Sequence, residues 1–181
     1  MKSLVLTAIS GFLLISNAHS LDLSGTVFHQ VGLEKNIDPD LLYAIALAES
    51  AYSPLKGAKG AAPHPWTLRL PDRPIYARSR EKAGQELKKI LLYTSNVDVG
   101  LMQISLRWHK HRVNRPEDLL DPLTNVRVGA DILLENFKRC PNDLVMALGS
   151  YHSNAPARRN QYGLTVFYIY VNFQKSGNST P

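Results

Sequence analysis

A mainly α fold (α+β, with a small β element) follows from three features of the 181-residue sequence. Two segments open on an acidic cap followed by proline, Asp38-Pro39 and Asp121-Pro122, and both continue with apolar residues at helical spacing. Between them, residues 53–74 hold five prolines and two glycines, a composition that breaks helices and leaves a loop with a short extended piece at "WTLRL". Further on, "SNVDVGLMQIS" sets β-branched residues around Gly100 with no helical period.

Taken in order, the chain starts with "MKSLVLTAISGFLLISNAHS": Lys2, an apolar run from Leu4 to Ile15, and a small-residue end at Ser20. That is the pattern of a secretory signal peptide, and the run falls short of the ~20 apolar residues that span a bilayer. Removal of residues 1–20 leaves a single domain with one core and no transmembrane anchor. Residues 24–35 read as a weak helix with Val27, Phe28 and Val31 on one face, and the helix from Pro39 lines Leu41, Leu42, Ile45 and Ala48 along one side. A polar helix runs from Ser79 to about Tyr93, with Ala83, Leu87, Ile90 and Leu91 turned inward. The helix from Pro122 buries Val126, Ala130, Leu133 and Phe137, and "NDLVMALGSYHS" is a shorter one. In "RNQYGLTVFYIYVNF" the aromatic and β-branched run favours strand while its neighbours favour helix, so both readings stay open. Residues 176–181 read as a disordered tail.

Cys140 is the one cysteine, which excludes an internal disulfide and leaves stability to packing; a lone thiol in an exported chain reads as a small buried hydrophobe. The formal charge of +6, combined with an export signal, points to an anionic envelope polymer and away from nucleic acid, for which aromatic interleaving is also poor. His109 and His111 in "RWHKHR", with His64 and His152 elsewhere, raise the question of a metal. A two-residue spacing on a helix parts the imidazoles and no acidic ligand is close by, so no metal is expected. Trp108 fits a core position or a sugar-stacking one equally well, and Trp66 reads as a lid over a cleft or a plug holding the proline-rich loop down. The basic residues between Arg69 and Lys89 read as a solvated face.

One residue resists a purely structural reading. In "IALAESAYSP", residues 45–54, Glu49 closes an apolar run where leucine or alanine would bury more comfortably. A carboxyl delivered from the last turn of a helix into a cleft loses hydration, which favours its protonated form, the state a proton donor needs. A glutamate turned to solvent at the helix end is the alternative.

Three stretches bear on that choice. "AESAYSP" (48–54), "VGLMQIS" (99–105) and "MALGSYHSNAP" (146–156) resemble, in order, the three signature segments of lytic transglycosylases of the soluble-lytic-transglycosylase type. "NVRVGADIL" falls where that family has a similar helix, and the resemblance spans roughly residues 28–170. It implies a lysozyme-like fold and cleavage of the glycan strands of peptidoglycan with no cofactor. It further implies Glu49 as the catalytic acid/base and Ser50 as the hydroxyl beside it, in contact with that acid or the sugar. Gly100, Leu101, Met102 and Gln103 would be the segment touching bound sugar, and Tyr151 the tyrosine facing Glu49 across the cleft.

Two departures stand out. The third motif reads Tyr151, His152, Ser153, Asn154, where the family usually has tyrosine-asparagine-alanine-glycine. Residues 53–97 form an insertion between the first two motifs, and longer segments there occur in relatives linked to conjugation and secretion machines, which adds such machinery to the implied partners.

The resemblance thus implies a periplasmic enzyme that cuts the β-1,4 bond between N-acetylmuramic acid and N-acetylglucosamine without water, leaving 1,6-anhydromuramic acid ends. A hydrolytic muramidase needs a second carboxylate. Asp98, two residues before Gly100, is the best candidate, although its setting favours a turn residue. The remaining alternative is a non-catalytic glycan-binding component of a secretion or conjugation apparatus, supported by the altered third motif.

Overall fold

A computed structural model describes residues 21–53 and 60–177. The expected signal peptide, and residues 178–181 of the expected tail, lie outside the described residues. The chain runs through α1 (Val27–Lys35), α2 (Pro39–Ser50), β1 (Ala51–Tyr52), β2 (Ala62–Pro63), β3 (Thr67–Arg69) and β4 (Pro74–Tyr76). It continues through α3 (Arg80–Leu91), β5 (Asp98–Val99), β6 (Ile104–Ser105) and α4 (Leu106–His109), then two 3-10 turns, Lys110–Arg112 and Pro116–Leu120. Three helices complete it: α5 (Pro122–Arg139), α6 (Leu144–His152) and α7 (Pro156–Gly177). This is the mainly α class with a small β element expected of a lysozyme-like fold.

Helix starts follow from local chemistry. Asp38 Oδ1 accepts from the Asp40 N–H at 2.9 Å with Pro39 in the first helical position, and Asp121 Oδ1 accepts from the Thr124 N–H at 2.9 Å ahead of Pro122. Each side chain satisfies a backbone donor that the first turn leaves open. Ser79 caps α3 in the same way, through the Lys82 N–H at 3.2 Å.

The proline-rich segment holds more sheet than one extended piece. β3, β4, β5 and β6 form an antiparallel sheet in the order β4-β3-β5-β6, and β1 pairs with β2 as a separate ribbon. Pro74 sits in the edge strand β4 and Pro63 in the ribbon, where a missing N–H costs little, while Leu68 of the inner strand β3 is fully buried.

The aromatic C-terminal run, open between helix and strand, is helix α7. Tertiary contact decides it: a methyl group at Gly163 would run into the Val145 carbonyl of α6, and one at Gly149 into the Arg159 carbonyl of α7. Two glycines facing across this crossing bring the helices close enough to bury Val166 and Leu148 completely. Across the core, Leu42 and Ile45 of α2 lie buried with Leu133 of α5. Tyr43 bridges outward, edge-on to Phe28 at 5.3 Å and to Phe173 at 5.7 Å. Paired Arg127–Glu34 bonds of 2.7 Å and the Lys35–Asp131 pair of 2.6 Å tie α1 to α5. Cys140 is half-buried at the end of α5 rather than fully buried as expected. No helix among the described residues is long and apolar enough to cross a membrane.

Candidate active site

The buried stripe of α2 fixes its orientation, and its penultimate residue, Glu49, enters an open cleft of about 500 Å³ with its side chain 11% exposed. The solvent-facing alternative for Glu49 is thereby set aside. Ser50, one residue on, points the other way. It is fully buried, and its hydroxyl lies 3.0 Å from the Ala46 carbonyl and 2.8 Å from the Leu101 carbonyl. It contacts backbone instead of the acid or a cleft ligand, and so ties the end of α2 to the second motif.

That second motif is a strained turn. Gly100 has φ of 82° and Gln103 of 45°, and a Cβ at Gly100 would lie 2.9 Å from the Leu119 carbonyl and overlap the Asn125 side chain. Asn125 holds the turn from beneath: its Oδ1 accepts from the Met102 N–H at 2.8 Å, and its Nδ2 donates to the Val99 and Leu119 carbonyls at 2.8 and 2.9 Å. Leu101 and Met102 are buried, with Met102 lying over Gly129 of α5. Of the four residues expected to touch sugar, only Gln103 lines the cleft; Gly100, Leu101 and Met102 shape it from behind. Gln103 Nε2 donates to the Gly100 and Thr67 carbonyls at 2.7 and 3.2 Å, which leaves its buried Oε1 without a partner among the described residues.

Tyr151 lines the cleft as expected and donates to the Met102 carbonyl at 2.9 Å. Burial, with the Glu49 and Asp98 charges, holds its hydroxyl well above the usual tyrosine range, so it stays protonated. Asp98 is not the turn residue its sequence favoured. It lies in β5, between Arg69 of β3 and Ser105 of β6 in register, and it lines the same cleft as Glu49. Burial raises its carboxyl above the ordinary aspartate value and the Glu49 charge adds to this, against a Ser105 hydrogen bond and the charges of Arg69 and His152.

Two cleft residues beside Glu49 were missed. His152 Nδ1 lies 3.7 Å from Glu49 Oε1, and its ring stacks on Tyr162 with centroids 4.7 Å apart and planes 4° from parallel. The departure of the third motif from the family pattern was the available signal for His152. Tyr162 had none, because its segment was open between helix and strand. Its hydroxyl is buried close to Glu49 with no well-formed hydrogen bond, and burial and that charge push it well above the usual range.

Trp108 is 65% exposed at the cleft, with the Arg107 guanidinium 4.9 Å from its ring centre, so it is a surface platform and not core. Trp66 packs half-buried against the core, edge-on to His64, as a plug under the insertion. His109 Nδ1 accepts from Arg112 Nε at 3.2 Å, and no group of three or more His, Cys, Asp or Glu among the described residues is placed to hold a metal.

A "Peptidoglycan-binding-like protein" of Escherichia coli O157:H7 is 26% identical over 165 residues, covering 86% of this chain and 82% of that protein. No solved structure matches significantly. The family described as the transglycosylase SLT domain matches residues 26–165, which contain all three motifs and every cleft residue named above, and the chain belongs to that family.

Proposed function

We propose that the protein is an exported, periplasmic lytic transglycosylase that cleaves the β-1,4 bond between N-acetylmuramic acid and N-acetylglucosamine in peptidoglycan. The observation that carries this reading is Glu49, a carboxyl delivered by an apolar helix into a cleft wide enough for sugar rings and fringed by hydroxyl and amide groups. Glu49 protonates the oxygen leaving C1 of the muramoyl residue, and the C1–O bond breaks with its electron pair on that oxygen. The carboxylate then takes the proton of the C6 hydroxyl as this oxygen closes on C1, and the product is a 1,6-anhydro end. Tyr151 braces the Met102 carbonyl behind Glu49, Gln103 Oε1 offers an acceptor to a sugar hydroxyl or amide, and Trp108 offers its ring to a sugar face. Neither metal nor cofactor takes part. The pattern of residues 1–20 supports export, and the long insertion supports service to a secretion or conjugation apparatus.

One observation favours a second reading. Asp98 shares the cleft with Glu49, the arrangement of two carboxyls that hydrolysis of a glycosidic bond requires. Mass spectrometry of fragments released from purified peptidoglycan separates the two. Anhydromuramic ends, lighter by one water than reducing ends, are expected, and they persist in Asp98→Asn. Reducing ends that vanish in Asp98→Asn establish hydrolysis. Glu49→Gln is expected to abolish release; sedimentation with the polymer without any release by the parent would leave a glycan-binding protein.

A further inference from the structure

His152 stands where the family usually carries asparagine, and three observations distinguish it from a spectator. It is the last residue of α6, where the helix carbonyls favour a cation. Its ring lies flat on Tyr162, which fixes the imidazole plane. Its Nδ1 is 3.7 Å from Glu49 Oε1, within ion-pairing reach and beyond a tight hydrogen bond. We propose that Glu49 and His152 share one proton as a dyad, with His152 the positioning residue that stores the proton Glu49 uses.

The proposal rests on the reading of Glu49 as acid/base. In the one-proton state the pair is either carboxylate with imidazolium or carboxyl with neutral imidazole, and the two forms have the same total charge. When Glu49 protonates the leaving oxygen, the dyad is left as carboxylate and neutral imidazole. The proton of the C6 hydroxyl then restores the count. An asparagine at this position cannot hold that proton.

The groups facing His152 agree on direction. The Glu49 carboxylate of α2 raises the imidazole above its ordinary value, against its partial burial; the Asp98 charge of β5 adds to the rise, and Arg158 of α7 opposes it. Tyr162 of α7 and Tyr151 of α6 stay protonated and carry no charge into the balance. A dyad of this kind loses its protons in two steps that belong to the pair, so the alkaline fall of activity marks departure of the last shared proton.

Two measurements test this on the purified protein. The pH profile of kcat/KM on peptidoglycan is compared between the parent and His152→Asn; its alkaline limb is expected to move acidward, by about one pH unit or ten-fold in proton affinity. The titration of the His152 imidazole, followed by NMR, is compared between the parent and Glu49→Gln, and its midpoint is expected to fall by a similar amount. Superimposable profiles together with an unmoved midpoint overturn the dyad while leaving the enzyme intact. A parent that releases no fragments, yet shows the fall in midpoint, overturns the activity and keeps the dyad.

Discussion

Asn125→Ala removes the side chain that makes three hydrogen bonds to the second motif and its surroundings from beneath. Three hydrogen bonds disappear: from the Met102 N–H at 2.8 Å, and to the Val99 and Leu119 carbonyls at 2.8 and 2.9 Å. Each is worth about 1 kcal/mol net, with roughly 1–3 kcal/mol more where the stranded group stays dry. Asn125 is only 1% exposed, so water reaches the vacated site poorly and a loss of about 3–5 kcal/mol is expected. Urea denaturation should show a lower midpoint at unchanged slope, and Tm should fall by about 10 °C. Asn125→Asp refines the reasoning, because it keeps the acceptor for Met102 but faces two carbonyls with a carboxyl. Only the protonated form can donate there, so its folded pKa rises above the unfolded value of ~3.9. The penalty should therefore be smallest below that value and grow as pH climbs toward the folded pKa. A loss below about 1 kcal/mol in Asn125→Ala, or a pH-independent penalty in Asn125→Asp, would refute the clamp.

Other positions give separate tests. Gly149→Ala sets a methyl group against the Arg159 carbonyl of the crossing helix, where backbone cannot yield easily, and should cost about 2–3 kcal/mol in denaturant unfolding. Glu34, held down to about 2 by Arg127 and then Gln30, contributes stability that is present above its ordinary value of 4.5 and lost as pH falls toward 2. Glu34→Gln should remove that part of the acid limb in a Tm-against-pH series, and added salt should weaken it in the parent. Trp108→Ala should leave Tm nearly unchanged because the ring is exposed, yet weaken binding to glycan oligomers about ten-fold in a direct titration.

The helices starting at Pro39 and Pro122 were legible because caps and proline act within a few residues of where they stand. Glu49 stood out for a related reason: an acidic residue closing an apolar stripe breaks the local pattern, while its entry into the cleft shows only in the packed structure. Asp98 was misread because a two-residue strand carries too little pattern to separate it from a turn; only its pairing with both Arg69 and Ser105 shows what it is. Ser50 faces the core instead of the cleft for a different reason. Adjacent residues on a helix lie about 100° apart, so a neighbour of the acid can face the core while the acid faces the cleft.

By itself the sequence determined the mainly α class, the helix starts and the three ordered motifs with Glu49 among them, because those signals are local in chain order. Tertiary structure alone decided that the aromatic C-terminal run is helix, since its Gly163 must press against α6. It alone brought Asp98, His152 and Tyr162 to Glu49 from two other helices and a strand. Cleft chemistry depends on separations of a few ångströms between side chains far apart in the sequence, and such distances exist only once the core has packed.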